Sequence, residues 1–229
     1  MAKGPTNKTS AGRARFGFAL ASLLALFTIA GLDFAYLLLH WGAVGQIDAY
    51  HWANQDFRDA VYYSCQAVFS GINPYDIDAY QRQFAGRINN LFPLYSPLIF
   101  LLHFPLALLP YHAACWTFQA INFGLLLACV RFTLSWTGWK VTLTTVCTLA
   151  AILLLSEPGR TNLLFGQVTW SLVLASYLGL TLARRNPHGA GAALAITSFK
   201  PTYFLPIAFS CSAGATLKPS FTDWPGRSL

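Results

Sequence analysis

An apolar run extends from Phe16 to Leu39 and is interrupted only by Asp33. A run of this length predicts a helix that crosses a bilayer, since about 20 apolar residues span the hydrocarbon core. It is too long for the core of a cleaved signal peptide, although basic residues precede it. Because 55% of the residues are hydrophobic and only 10% are charged, we predict an all-α, polytopic membrane protein.

The formal net charge of +7 comes largely from short clusters of Lys and Arg beside apolar runs. Such clusters indicate cytoplasmic loops of a membrane protein, and the sequence contains neither a basic recognition helix nor an aromatic platform for nucleic acid. The five cysteines include no Cys-x-x-Cys pair, and most of them lie inside apolar runs. We therefore expect buried thiols, with no nucleic-acid partner, disulfide framework, metal or cofactor.

The apolar runs predict about five transmembrane helices with the N-terminus in the cytoplasm. They cover about 16–39, 113–130, 141–156, 162–183 and 189–209. The additional run Tyr95–Leu109 reaches only about 22 Å as a helix, short of the roughly 30 Å hydrocarbon core. If this run does not span, Arg131, Lys140 and Arg185 face the cytoplasm, as the positive-inside rule requires. We therefore predict a short re-entrant or interfacial helix there.

This topology divides the chain into three parts. Residues 1–15 form a basic cytoplasmic tail, and residues 16–209 form the membrane domain with an outer loop at about 40–94. Within that loop, Asp59–Phe69 is predicted to form a short helix that ends at Gly71. Residues 210–229 are polar and atypical, and we expect them to be disordered or derived from a truncation.

The outer loop collects carboxylates, which are costly inside lipid and often mark function. Five of the eight acidic residues lie there: Asp48, Asp56, Asp59, Asp76 and Asp78. Asp56 is either a general base that takes a proton from an attacking hydroxyl or a cap of the helix that starts near Phe57. Asp59 follows three residues later and either binds sugar hydroxyls or pairs with Arg58.

Asp76-Ile77-Asp78 has the Asp-x-Asp pattern that holds a metal–nucleotide in some glycosyltransferases, but such a short pattern is weakly specific. Asn73-Pro74-Tyr75-Asp76 is also sufficient as a turn, and we favour the turn. The tyrosines near this region are candidates for stacking on sugar rings or for an interfacial aromatic belt. They are Tyr62, Tyr63, Tyr75 and Tyr95.

Two further features are predicted to lie on the outer face with Asp56. Lys200 falls inside the predicted fifth span, where a cation requires a partner or an aqueous cavity, and a lipid-linked phosphate is a suitable partner. Gly166-Gln167 lies at a helix start and offers backbone N–H groups and a side-chain amide to hydroxyls or phosphate. Asp33 is either a polar cap at the interface or part of this site.

These segments together resemble family-87 glycosyltransferases, multi-span enzymes of the GT-C class. The matching motifs are Asp56-Phe57, Tyr62-Tyr63, Gly71-Ile72-Asn73-Pro74-Tyr75-Asp76, Leu94-Tyr95-Ser96-Pro97-Leu98, Phe165-Gly166-Gln167-Val168, Gly189-Ala190-Gly191 and Lys200-Pro201. They run in order over about 54–209, and Ser96 stands where the family usually has proline. The resemblance implies further spans after Lys200-Pro201, which this sequence does not continue into.

The resemblance implies a transferase that moves a sugar, typically mannose, from a polyprenyl-phosphate donor to a lipid or glycan hydroxyl. Transfer would occur with inversion, without a nucleotide donor, on the outer face of the bacterial cytoplasmic membrane. The essential acidic residue of the family's first outer loop corresponds to Asp56. Lys200 then contacts the donor phosphate, while Asp59, Asn73, Tyr75, Tyr95 and Gln167 hold the loop or the sugar.

Two other readings of the sequence stay open. A small transporter or lipid flippase would use Lys200 and Asp33 as charges along a substrate path, but the sequence shows no paired broken helices in two halves. A non-catalytic fragment that associates with a larger enzyme would also explain the atypical tail. Solute uptake into vesicles would favour the transporter.

Overall fold

The computed structural model describes residues 8–41, 52–89, 93, 95–183 and 185–216, and within these ranges the chain forms helices and turns without strands. This confirms the predicted all-α class. The helices are α1 Lys8–Leu39, α2 Gln55–Phe57, a π-helical segment Arg58–Tyr62, α3 Tyr63–Phe69, α4 Ile77–Gln83, α5 Leu98–Ala107, α6 Tyr111–Trp136, α7 Leu143–Leu155, α8 Glu157–Phe165, α9 Thr169–Leu182, α10 Pro187–Thr197 and α11 Pro201–Thr216.

Two described helices are long and apolar enough to cross a membrane, Gly12–Leu39 within α1 and Tyr111–Trp136. A third span is possible if α8 and α9 count as one broken element. The polytopic prediction is therefore confirmed, whereas the number of five spans stays a prediction. The predicted interfacial segment contains α5, whose 10 residues reach only about 15 Å.

Two predicted spans differ from the structure because each is broken. The span predicted at about 162–183 consists of the end of α8 and then α9, and the helix axis bends by 114° between them. The span predicted at about 189–209 is divided into α10 and α11 around Lys200. Gly166 in the left-handed region ends α8, and Pro201 at the start of α11 lacks the N–H that a continuous helix would need. The two breaks interrupt the regular helical backbone at the Gly166-Gln167 turn and at Lys200.

The ends of the chain also differ in part from the prediction. Helix α1 begins at Lys8 rather than near Phe16, so the predicted basic tail is helical from Lys8 onwards. Helix α11 continues to Thr216 and therefore enters the predicted atypical tail. Residues 1–7, the 42–51 part of the predicted outer loop with Asp48, and residues 217–229 lie outside the described ranges.

Helix α6 is central to the packing, since it contacts α5, α7, α8 and α9. Helices α1 and α7 pack together on one side of the fold, and α9 and α10 pack together on another. Large apolar side chains remain exposed on α1, with Phe16 72% and Phe27 64% exposed. In a membrane helix such side chains face lipid.

The part of the predicted outer loop that carries the predicted site is itself buried. The chain is helical without interruption from Gln55 to Phe69, so the helix begins four residues before the predicted Asp59. Phe57 is fully buried and stacks on Phe118 of α6 at a centroid distance of 4.3 Å. This contact fixes the helix with Asp56 against the central membrane helix.

Candidate active site

Asp56 lies in the middle of α2 and is partly buried. The residue at the N-cap of this helix is Asn54, so Asp56 does not act as the cap. Its carboxylate instead lies near the Gln167 side chain and the charge of Lys200, and both favour its charged form. The structure therefore does not support the capping interpretation of Asp56, and its role as a general base stays a prediction.

Gln167 lies in the turn between α8 and α9. The backbone N–H of Gln167 donates to the carbonyl of Asn162 at 2.9 Å, which closes the end of α8. Its side-chain Oε1 accepts from the hydroxyl of Thr169 at 3.4 Å. The amide nitrogen Nε2 is therefore the part of this side chain that favours the charged Asp56 carboxylate.

Lys200 lies in the short break between α10 and α11. Its Nζ is 5.3 Å from the centre of the Tyr95 ring, a cation–π distance. Within the described ranges, Lys200 and Asp56 attract each other but do not form a contact ion pair. A carboxylate and an ammonium thus share one site with a gap between them.

The pKa of Asp56 is raised above its ordinary value of 3.8, chiefly because burial disfavours the charged form. The Gln167 amide and the attraction of Lys200 act in the opposite direction, and the nearby Asp59 adds a smaller upward shift. A carboxylate with a raised pKa is a stronger base than an exposed one. Asp56 is consequently suited to accept a proton.

Tyr95 is 3% exposed and lies beside both charges. The pKa of its hydroxyl is raised by burial and by the negative charge of Asp56, so the hydroxyl remains neutral. The backbone N–H of the adjacent Ser96 donates to the carbonyl of Phe199 at 3.2 Å. This bond ties the segment with Tyr95 to the break that carries Lys200.

Asn73 and Tyr75 are connected to the site through Tyr95. The side chain of Asn73 accepts from the backbone N–H of Tyr75 at 3.0 Å, which forms the predicted turn. The Tyr75 hydroxyl donates to the backbone carbonyl of Tyr95 at 2.5 Å. Asn73 and Tyr75 therefore support the position of Tyr95, and direct contact of either with a sugar stays a prediction.

Asp59 is fully buried and forms an ion pair with Arg58 at 2.6 Å. Its second carboxylate oxygen accepts from the backbone N–H of Asn89 at 2.8 Å. Of the two alternatives for Asp59, the structure shows the pairing with Arg58. The role of Asp59 in sugar binding is untested, and this burial does not support it.

The remaining candidate carboxylates have separate positions. Asp76 caps α4 by accepting from the backbone N–H of Ala79 at 3.1 Å, as the turn interpretation predicts. Asp33 is buried in α1 and pairs with Arg160 of α8 at 3.3 Å. Among the described residues, no group of three or more His, Cys, Asp or Glu side chains could hold a metal ion.

The sequence analysis missed a group of buried amides around Asp56 and Gln167. They are Asn54, Gln119, Asn122 and Asn162, each at most 3% exposed. Gln119 and Asn122 are amides within an apolar membrane helix, where unpaired polar groups are costly. That composition was the available signal, and sequence spacing alone does not reveal their partners.

Gly166 provides a stability prediction, since its φ is +68° and an added Cβ would lie 2.9 Å from the Cβ of Phe57. We expect Gly166→Ala to reduce the free energy of unfolding by about 2–4 kcal/mol, through left-handed strain and overpacking. Denaturant unfolding of the purified protein in detergent measures this. The matched control is Gly124→Ala in α6, where an added Cβ meets nothing within 4 Å. Equal effects of the two substitutions would contradict the prediction.

These features define an all-α membrane protein whose polar site combines a buried carboxylate, an amide and a cation. The model of glycosyltransferase family 87 matches residues 93–214, more than half of the chain. The chain therefore belongs to glycosyltransferase family 87 and is a membrane glycosyltransferase. The match includes Tyr95, Gln167 and Lys200 and begins after Asp56. No curated protein and no solved structure matches the chain.

Proposed function

We propose that the chain transfers a sugar from a polyprenyl-phosphate donor to a hydroxyl of a lipid or glycan, with mannose as the first candidate sugar. The observation that carries this proposal is the placement of Asp56, Gln167 and Lys200 close together beside Tyr95. Transfer of the hexosyl group from such a donor needs one base and one group that stabilises the leaving phosphate. The proposed enzyme is of the GT-C class and uses neither a nucleotide donor nor a metal.

In this mechanism Asp56 accepts the proton of the acceptor hydroxyl while the hydroxyl oxygen attacks C1 of the sugar. The bond between C1 and the phosphate oxygen breaks, and its electron pair leaves with the polyprenyl phosphate. Attack from the face opposite the phosphate inverts the configuration at C1. The ammonium of Lys200 stabilises the charge that develops on the leaving phosphate.

The apolar surroundings of Lys200 support a lipid-linked donor. A cleft of about 410 Å³ lies between α5, α6, α9 and α10. His103 and Ile196 line it, and His103 packs against Phe199, the residue before Lys200, at 6.2 Å between ring centres. We propose that this cleft holds the isoprenoid chain of the donor, because Ile196 lies four residues before Lys200.

The proposed location is the bacterial cytoplasmic membrane, with the N-terminus in the cytoplasm and the site on the outer face. Arg131 and Lys140, which flank the loop between α6 and α7, would then be cytoplasmic. The turn at Gln167 comes just before α9, and the break at Lys200 comes just after α10. Both would therefore lie on the side of the membrane opposite to Arg131 and Lys140. The acceptor would therefore be a lipid or a glycan of the outer leaflet.

A donor comparison tests this function. The purified chain in proteoliposomes is given mannose that is radiolabelled and linked either to polyprenyl phosphate or to a nucleotide, together with a lipid extract as acceptor. We expect label in the acceptor lipid from the polyprenyl donor only. Label from the nucleotide donor would contradict the proposed donor class. Uptake of label into the lumen without transfer would instead support the transporter interpretation.

A further inference from the structure

Helix α6 carries two buried amides one turn apart, Gln119 and Asn122, on the side that faces the candidate site. Gln119 is fully buried and Asn122 is 3% exposed. Buried amides inside a membrane helix are retained where their hydrogen bonds have a structural or functional use. Their partners lie on the two segments that carry Asp56 and Gln167.

Gln119 binds the segment that begins the Asp56 helix. Its Nε2 donates to the side-chain oxygen of Asn54 and to the backbone carbonyl of Leu163, the second at 2.8 Å. Asn54 has φ +55°, the one positive φ among the described non-glycine residues. Its backbone N–H donates to the carbonyl of Leu164 at 2.8 Å, and its carbonyl accepts from Arg58 at 2.8 Å. This strained residue therefore joins the Asp56 helix to the end of α8.

The contact between the Asp56 helix and the Gly166-Gln167 turn at the end of α8 is here called the junction. Asn122 binds the side of the junction that is formed by the turn. Its Nδ2 donates to the backbone carbonyl of Gln167 at 3.0 Å and lies 3.5 Å from the side-chain oxygen of Asn162. Asn162 accepts the backbone N–H of Gln167. Gly166 lies between the two segments, and its missing Cβ leaves room for Phe57 and Asn54. Two residues of one helix thus hold the turn and the Asp56 helix together.

We propose that Gln119 and Asn122 are positioning residues that hold the Asp56 helix against the Gly166-Gln167 turn and so set where the Gln167 amide lies relative to Asp56. They act on Asp56 through Asn54 and through the backbone of the Gly166-Gln167 turn. The consequence for catalysis rests on the proposed function of Asp56 as the base. The consequence for the protonation of Asp56 does not, because it concerns the protein without substrate.

The charged and titratable groups near Asp56 determine how the protonation of Asp56 responds when the junction is weakened. They are Lys200 between α10 and α11, Asp59 on the adjoining π-helical segment and Tyr95 before α5. Neither Gln119 nor Asn122 contributes charge. Their loss would therefore act on Asp56 by moving the Gln167 amide, which favours the charged carboxylate.

The test is the protonation midpoint of Asp56 in the purified full chain, followed by infrared spectroscopy of the carboxyl C=O stretch between pH 3 and pH 9. The band of Asp56 is identified as the one that the Asp56→Asn variant lacks. We expect Gln119→Met to raise the midpoint by about one pH unit. Asn122→Ala should raise it in the same direction, and it serves as the second variant if Gln119→Met does not fold.

The matched control is Thr133→Val on the same helix. Thr133 hydrogen-bonds to Tyr177 of α9 at 3.1 Å and does not contact the junction. We expect its midpoint to equal that of the unmodified protein. Midpoints that stay unchanged in the folded Gln119 or Asn122 variant, or that shift equally in the control, would overturn the proposal. A shift in a protein that shows no sugar transfer would instead refute the proposed function alone.

Discussion

Replacing Asp56 with Asn is expected to lower the rate of sugar transfer by about 10²–10⁴-fold. An amide of the same size preserves the shape of the site but cannot accept the proton of the acceptor hydroxyl. Asp56 lies inside α2 without capping it, so insertion and folding should be retained. Initial rates of transfer, normalised to the amount of folded protein in the membrane, measure the effect.

Asp76→Asn is the matched control for this substitution. Asp76 is an exposed carboxylate that caps α4, and Asn is an equally good cap. We expect its transfer rate to equal that of the unmodified chain. If Asp56→Asn retained the rate of this control, Asp56 would not be the base.

Replacing Lys200 with Gln is expected to lower transfer by about 10²–10³-fold, because the leaving phosphate loses its cation. The same change removes an attraction that lowers the pKa of Asp56. The pKa of Asp56 should therefore rise further, and the residual activity should fall at a higher pH as the medium is acidified. Transfer rates measured over a pH series test both effects.

Lys140→Gln is the control for charge. Lys140 is an exposed lysine in the loop before α7, far along the chain from the site, and its replacement should leave the rate and the pH profile unchanged. Lys200→Arg keeps the charge and should retain more activity than Lys200→Gln. Equal rates for Lys200→Gln and Lys140→Gln would contradict a phosphate contact at Lys200.

The apolar runs and the positions of glycine and proline between them were sufficient to predict the helical class. They also predicted that three separate segments of the chain come together. The predicted meeting of Asp56, the Gly166-Gln167 turn and the region of Lys200 is present in the structure. Charge placement carried that prediction, because it set which loop ends share a face. The family expected from the ordered motifs is confirmed over residues 93–214.

The helix breaks could not be predicted with the same success. Hydropathy treats 162–183 as one run, whereas the left-handed Gly166 and its contact with Phe57 turn α9 away from α8. That contact joins segments more than 100 residues apart, and a local pattern does not contain it. The same limit applies to Gln119, whose hydrogen-bond partner Asn54 lies 65 positions away.

Asp59 shows that the role of an individual residue could not be predicted from its spacing in the sequence. Its helical spacing from Asp56 predicts a shared face, and that spacing fits a sugar ligand as well as a partner for Arg58. Burial separates the two, because Asp59 is fully buried with both carboxylate oxygens bonded. Such burial depends on the packing of α4 and α5 over this segment, which periodicity does not describe.

The most direct measurement is mannose transfer from polyprenyl-phosphate mannose to membrane lipid by the purified chain and by its Asp56→Asn variant, at equal amounts of folded protein. The proposed site predicts labelled lipid with the unmodified chain and a loss of at least about 10²-fold with the variant. Equal labelling by the two proteins would contradict Asp56 as the base. An absence of labelling by both would contradict this donor and reaction for the chain.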